Sequence, residues 1–491
     1  MRSYESTSIV PKDDRMQSPP VNTQEDGLPA SRRHFAVAVV VIGTTMGVLD
    51  GSIANVALPT ISRELHTDAA SSVWVVNAYQ AISAMLLLPF AALGDVIGYR
   101  RVYAAGIALF TVGSLLCALS PTLLLLVLSR VLQGIGGAAI MSIAPALMRT
   151  IFPSRMLGVA VGISALTVAS SSAAGPTIGG AILAVAPWPW LFAINVPLGL
   201  FDSIFATRAL PGATGKGGRY DFPSALLSVP ALALGILGLD GFTRRLPLGW
   251  IALMLAGCAG LGIAFFTRQR KLADPMLPLE LFAVPRFSLA VATSFCSFIA
   301  QGLAFVALPF LLQGADGFSA FQSGLLFTPW PLSIAVVAPI AGRLADRISP
   351  ARLSTAGLAI LAVGLACLAL LPPHPHPADV IWRGIVCGLG FGFFQAPNNR
   401  EILGSAPRTR SGAASGILAT VRVGGQTFGA ALVALALGTS AAAGADGSSA
   451  MLAGPAHFAI GVSALIAAVA CAVSSTRLRP GFASAAGAAP G

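Results

Sequence analysis

Residues 72–93 read SVWVVNAYQAISAMLLLPFAAL and residues 101–119 read RVYAAGIALFTVGSLLCAL, with Gly94-Asp95-Val96-Ile97-Gly98-Tyr99-Arg100 between them. Each apolar run is about 20 residues long, the length of a helix that crosses the ~30 Å hydrocarbon core of a bilayer. Strands of an outer-membrane barrel would instead alternate over ~10 residues. The charged residues fall in the turn between the runs. Two membrane helices joined by a short polar turn are therefore the local unit.

Working outward, the same pattern recurs until fourteen apolar segments are counted, at about 35–58, 72–93, 101–119, 122–147, 156–184, 189–207, 222–240, 249–267, 286–312, 320–342, 351–372, 379–399, 411–438 and 456–476. Turn chemistry at Leu58-Pro59, Ser120-Pro121 and Pro372-Pro373 marks breaks between them. Composition agrees. Of 491 residues, 10% are charged and 55% hydrophobic, and mean hydropathy is +0.80. Soluble proteins carry ~25% charged residues, so a soluble enzyme and a disordered scaffold are excluded. The six cysteines (Cys117, Cys258, Cys296, Cys367, Cys387, Cys471) all fall in apolar runs with no CxxC pair, and read as small core residues.

The formal charge of +11 invites a nucleic-acid reading, but the positions of the charges speak against one. An even span count puts both termini on one side. Both tails and the connections on that side hold 24 of the 30 Lys and Arg residues, while the opposite connections hold only Arg63, Arg244 and Arg245. This bias places both termini in the cytoplasm of a cell membrane protein, and the net charge is a topology signal. Residues 1–33 mix both charge signs with Pro, Ser and Gln and lack an apolar signal region, so a solvated, disordered cytoplasmic tail is expected there.

The chain also repeats itself. Leu93-Gly94-Asp95 with Arg101 recurs as Leu344-Ala345-Asp346 with Arg352, offset 251. Ala144-Pro145 recurs as Ala396-Pro397, offset 252, and Pro153, Gly158, Gly162 and Ile163 recur as Pro407, Gly412, Gly416 and Ile417, offset 254. Spans 2–5 thus map onto spans 10–13. The expected architecture is all-α: a six-helix bundle at 34–210, an inserted helix pair with its loops at 211–285, a second six-helix bundle at 286–476, and a cytoplasmic tail at 477–491. Parallel repeats of this kind build alternating-access transporters, with substrate between the bundles.

An ionised group at mid-bilayer costs ~2.5–3.5 kcal/mol on insertion scales, so buried charges are candidate functional groups. Asp50 sits nine residues before Pro59, about 13 Å from the expected end of span 1. It borders a face of Thr44, Gly47, Gly51, Ala54 and Asn55. A carboxylate beside small residues can face a cavity and exchange a proton; a structural hydrogen bond is the alternative. Arg130 lies at nearly the same depth in span 4 and can tune or reprotonate Asp50, or else form a fixed ion pair with it. Arg422 lies about eleven residues into span 13, beside Gly424, Gly425 and Gly429, with no acid in its own span. It is a third candidate for proton coupling. Gly175-Pro176-Thr177-Ile178-Gly179-Gly180 combines a proline kink with close-contact glycines, which suits either a seal or plain packing. Asp95, Gly98, Arg100 and Arg101 form a turn whose acid and bases can pair in one conformation and part in another, with Asp346 as the repeat counterpart of Asp95. Gly388-Leu389-Gly390-Phe391-Gly392 lacks the preceding strand of a nucleotide loop and reads as helix packing.

Together these residues resemble the major facilitator superfamily, specifically its fourteen-helix drug:proton antiporter branch. Leu49-Asp50-Gly51-Ser52-Ile53-Ala54-Asn55-Val56-Ala57-Leu58-Pro59 is similar to the span-1 signature of that branch, and Asp95 to Arg101 to its loop motif. Arg130-Val131-Leu132-Gln133-Gly134 is similar to the span-4 motif, and Gly175-Pro176 with Gly179-Gly180 to the antiporter motif. Phe192-Ala193-Ile194-Asn195-Val196-Pro197-Leu198-Gly199 and Pro397-Asn398-Asn399 also fit. The resemblance spans about residues 35–476, with two departures, Ala91 for the first loop glycine and Trp188-Pro189 for the usual Trp-Arg.

The resemblance implies proton-driven export of amphipathic, often cationic compounds, with Asp50 in protonation or substrate binding, Arg130 assisting proton movement and the glycine-proline motif sealing the cavity. Further acids in the C-terminal half are few and terminal (Asp379, Glu401), which favours neutral or monocationic substrates. Asp50, Asn55, Tyr79 and Gln80 are the candidate substrate contacts, Tyr79 because an aromatic face attracts cations. No metal or organic cofactor is expected, only the proton gradient, and the bilayer as surroundings; a monomer suffices. The alternatives are a dedicated exporter of one metabolite or antibiotic and a proton symporter. An enzyme is disfavoured, because His34, His66, His374, His376 and His457 do not group.

Overall fold

The computed structural model describes residues 27–153, 156–212, 220–243, 246–272, 275, 277–345, 347–405, 411–441 and 453–478. Among these, fourteen helices are long and apolar enough to cross a membrane: α1 (Ala30–Glu64), α2 (Ala69–Ile97), α3 (Tyr99–Ala118), α4 (Leu123–Ile151), α5 (Gly162–Val185), α6 (Trp190–Ala209), α7 (Phe222–Phe242), α8 (Leu248–Gln269), α9 (Pro285–Gly314), α10 (Ala320–Leu344), α11 (Pro350–Ala369), α12 (Pro377–Gly404), α13 (Gly416–Leu437) and α14 (Ala453–Thr476). The described residues contain no strand. The span count agrees with the hydropathy count.

Local chemistry explains most helix ends. Gly98 alone joins α2 to α3 with φ 99° and ψ 137°, a backbone region that a Cβ disfavours. Thr122, after Pro121, caps α4 by accepting from the Leu125 N–H, and Ser319 with Gln322 forms a reciprocal capping box ahead of α10. Two expectations about ends do not hold. Pro59 does not end α1, which continues through it to Glu64. Gln313 of the C-terminal half donates to the Val56 carbonyl at 2.8 Å within that turn, so the helix persists where it packs. Asp50 therefore lies fourteen residues from the end of α1 rather than nine. At the other end α1 begins at Ala30, inside the stretch expected to be tail, and Leu28 is held by the Ile151 carbonyl at 3.0 Å.

The packing repeats as the sequence does. In the first bundle α1 packs on α5 and α6, α4 on α2 and α3; in the second, α9 packs on α13 and α14, α12 on α10 and α11. Glycine pairs let equivalent helices touch. A Cβ on Gly136 would lie 2.4 Å from the Phe110 nitrogen, and one on Gly390 2.4 Å from the Leu361 nitrogen, so α3–α4 and α11–α12 cross backbone to backbone. Between the bundles the contacts are reciprocal, α5 against α10 and α2 against α13, with α1 beside α9. The pair α7–α8 packs on itself, and α7 touches α2 and α13. Its position is peripheral: 11% of the apolar span of α8 is buried, against 83% of α9.

Candidate functional site

The site begins on α1. Asp50 is 2% exposed, and α4, α3 and α6 each bring a polar group toward it. Its Oδ2 is ion-paired with Nη1 of Arg130, which is itself fully buried. Its Oδ1 accepts from Gln133 Nε2 at 2.8 Å and from Asn195 Nδ2 at 3.1 Å. Gln133 also donates to Ser114 Oγ at 2.8 Å and accepts from Arg130 Nη1 at 2.6 Å. Arg130 Nε donates to the Val75 carbonyl at 2.8 Å. All the bonds to Asp50 come from groups that can only donate, so the cage is built for the ionised carboxylate.

Helix packing sets this geometry. A Cβ on Gly113 would fall 2.6 Å from the Gln133 nitrogen, so the glycine lets α4 come close enough for Gln133 to reach Ser114. Gly134 and Gly137 leave room for Tyr79, whose ring lies under the Arg130 guanidinium, 4.3 Å from centroid to Cζ, with Phe192 at 5.4 Å. Arg130 Nη2 is buried without a hydrogen bond, on the guanidinium whose Cζ lies over these two rings. A cation over an aromatic face is stabilised by about 0.5–2 kcal/mol.

Of the expected residues, Asp50, Arg130 and Tyr79 are brought together. Tyr79 is 6% exposed, its ring is taken by Arg130, and its hydroxyl donates to the Gly47 carbonyl at 3.0 Å. Asn55 is buried but bonds within α1, to the Gly51 carbonyl at 3.1 Å, and its Oδ1 has no partner. Gln80 is half-buried with an unpartnered Oε1. A Cβ on Gly51 would meet nothing within 4 Å, so α1 borders open space beside Asp50. Arg422 is not part of this cluster. It sits on α13, half-buried, with no hydrogen bond or ion pair to any described residue. One turn further along, Gln426 donates to Gln301 at 3.2 Å.

The glycine-proline motif joins both bundles. A Cβ on Gly175 would strike Ser52 of α1 at 2.3 Å, and one on Gly180 would lie 2.8 Å from the Ala320 carbonyl. Gly324 of α10 sits against the Pro176 carbonyl, and the Thr177 and Thr328 hydroxyls bond at 2.5 Å. These contacts lie at the ends of α5 and α10 away from the described termini. At the opposite face lies the turn at Gly98. Asp95 accepts from the Tyr99 hydroxyl at 2.5 Å, and no described arginine pairs with it. Arg100 reaches the Thr207 carbonyl at 3.4 Å, and Arg101 is exposed. Asp346 lies outside the described residues.

Sequence reasoning gave no role to Gln133 or Asn195, although both stand in quoted motifs. It also missed Asp202, fully buried in α6, which is detectable as the one acid in residues 190–209. Arg477, assigned to the tail, is built into the second bundle. It bonds Asn398 at 2.9 Å, Glu401 at 2.7 Å and Ser474 at 2.6 Å. Burial pulls its guanidinium below the usual range, and Glu401 opposes that shift. All six cysteines are free.

Comparison with known proteins agrees with this architecture. Residues 40–430 match the model of the Major Facilitator Superfamily. The chain is 49% identical to "Uncharacterized transporter YebQ" of Escherichia coli, over 93% of this chain and 98% of that protein. It is 31% identical to "Riboflavin transporter RibZ" of Clostridioides difficile, over 80% of this chain and 85% of that protein. It is 32% identical to "Multidrug resistance protein Stp" of Mycobacterium tuberculosis, over 80% of this chain and 73% of that protein. With fourteen membrane-length helices, two bundles packed alike and a family match across both, the chain belongs to the major facilitator superfamily.

Proposed function

We propose that this transporter exports amphipathic, neutral or monocationic compounds from the cytoplasm in exchange for protons, by alternating access of the two bundles. The observation that carries the reading is the Asp50 cage, a buried carboxylate matched by one arginine and two amides. Protonating Asp50 removes the charge that Arg130 neutralises. Breaking such a pair leaves an uncompensated buried ion, a cost of about 3–5 kcal/mol that couples proton binding to rearrangement. Substrate enters beside Gly51, Asn55 and Gln80, and Tyr79 acts through Arg130 rather than by direct contact. Asp95, Gly98, Arg100 and Arg101 remain the proposed cytoplasmic gate. Gly175, Pro176, Gly179 and Gly180 form the opposite seal, a reading supported by the Thr177–Thr328 hydrogen bond between the two bundles. Arg422, which has no ion pair among the described residues, adds a positive charge to the C-terminal half, which disfavours dications. The basic-residue bias supports cytoplasmic termini and a cell-membrane location. The family makes an enzyme an unneeded reading.

The names of the relatives point two ways, to multidrug resistance and to a single vitamin, so a dedicated exporter is the second reading. Everted vesicles carrying a pH gradient separate them. Addition of a panel of lipophilic cations is expected to release protons with wild type and not with Asp50→Asn. Equal release by both proteins sinks the role of Asp50; silence toward the whole panel favours the dedicated exporter.

A further inference from the structure

A second carboxylate lies inside the first bundle. Asp202 is fully buried, and no described arginine, lysine or histidine pairs with it. Its Oδ1 has no hydrogen-bond partner, and its Oδ2 lies 3.3 Å from the Tyr103 hydroxyl. That hydroxyl has one hydrogen and a nearer acceptor, the Val39 carbonyl at 3.0 Å. With the Tyr103 hydrogen on Val39, the Tyr103 oxygen is left to accept, and only a protonated Asp202 can donate to it. Gly43 makes the room. A Cβ there would fall 2.2 Å from Tyr103 Oη and 2.9 Å from Asp202 Oδ2.

Asp202 is also in register with the Asp50 cage. On α6, Asn195 bonds Asp50, Gly199 sits against Thr111 and Met46, and Asp202 meets Tyr103, spacings of four and seven residues on one helix face. On α1, Asp50 and Gly43 are likewise seven residues apart, about 10.5 Å along the axis. On α3, Ser114, Thr111 and Tyr103 complete the seam. The other charged groups of these helices lie elsewhere. Arg33 bonds the Leu28 carbonyl, Arg100 the Thr207 carbonyl, Arg32, His34, Arg63, Glu64 and Arg101 are exposed, and Arg208 is in the last turn of α6.

We infer that Asp202 is a second proton-binding carboxylate of this transporter, holding a proton while Asp50 is ionised and exchanging it along the seam between α1, α3 and α6. The role in exchange rests on the proton-coupled reading above; the protonation of Asp202 does not. An ionised, unpaired carboxylate at this depth is costly, which favours the acid form. In the ionised state the Tyr103 hydrogen turns from Val39 to Asp202, so the tyrosine reports the change.

The test is an infrared pH titration of the purified full chain in lipid, following the protonated-carboxyl C=O band. Wild type is expected to show a band that Asp202→Asn removes and Asp50→Asn keeps, and that disappears as pH rises. In Asp50→Asn the remaining Arg130 charge favours the Asp202 carboxylate, so its midpoint falls by about one pH unit or more, the scale of coupled sites. Tyr103→Phe, which keeps the carboxyl, shifts the midpoint and serves if Asp202→Asn does not fold. A band indifferent to Asp202→Asn, or one that never titrates, overturns the inference, the second outcome making Asp202 a fixed structural acid. A midpoint unmoved by Asp50→Asn removes the link along the seam. Failure of substrate-driven proton release with these spectra intact would count against antiport alone.

Discussion

The two bundles share one packing scheme but carry different charges. Arg130 of α4 and Arg383 of α12 stand 253 residues apart, within the range of the internal repeat. Arg130 crosses to another helix and meets Asp50 in a closed polar cage. Among the described residues Arg383 pairs with Asp379 on its own helix, at 3.6 Å with the carboxylate 40% exposed, and lies 4.9 Å over the neighbouring Trp382 ring. Where the first bundle centres on a carboxylate, the second holds the neutral amide pair Gln301–Gln426. The repeat thus preserved backbone geometry while placing a buried carboxylate at mid-helix in the first half; the buried ion pair of the second half, Arg477–Glu401, sits at helix ends instead. Asp202 and Tyr103 add to the first half.

The comparison can be broken by unequal mutational costs. The largest effect is expected at Arg130. Arg130→Gln strands a buried carboxylate and should lower stability by about 3–5 kcal/mol, whereas Arg383→Gln should cost about 0–1 kcal/mol. Thermal unfolding in detergent, wild type beside each variant, measures both, and equal costs would erase the asymmetry. Next comes the seal. Gly175→Val should cost about 1–3 kcal/mol because even its Cβ overlaps Ser52. Proton leak without substrate should rise in vesicles, and a tight variant would reduce the motif to simple packing. Smaller still, Gln301→Ala should cost about 0.5–1.5 kcal/mol while leaving substrate-driven proton release in place. Abolished release there would move part of the coupling into the second bundle.

The smallest effect lies outside both bundles. Asp221, before α7, bonds the Ser224 hydroxyl and pairs with Arg268 at 2.8 Å, clasping the inserted pair. Burial opposes the charge, but Ser224 and Arg268 win and hold its carboxyl below the usual range. Its contribution is therefore complete above the unfolded value of about 3.9 and is lost as pH falls through the lower folded value. Arg268 is 39% exposed, so screening limits the term to less than about 1 kcal/mol. Unfolding of Asp221→Asn across acid pH should converge with wild type below that range.

Much of this was legible beforehand. The spans were, because a helix crossing lipid must satisfy its own backbone and announces itself as ~20 apolar residues. Asp50 and Arg130 were, because a charge in such a run is conspicuous. Gln133 and Asn195 were not, since an amide in a helix is ordinary until its partner is known. Pro59 misled, because a proline marks a probable helix end locally while packing decides whether the helix stops.

Local hydropathy and repeated spacing set how many helices there are, where they lie, and that they form two copies of one pattern. Which side chains meet is set by helix packing. Whether Asp50 faces Arg130, Tyr79 lies under a guanidinium, or Asp202 finds Tyr103 depends on how each helix is rotated and how closely it approaches its neighbours. That rotation is set by glycines and bulky residues on different helices fitting together, a relation between distant positions that no single segment contains.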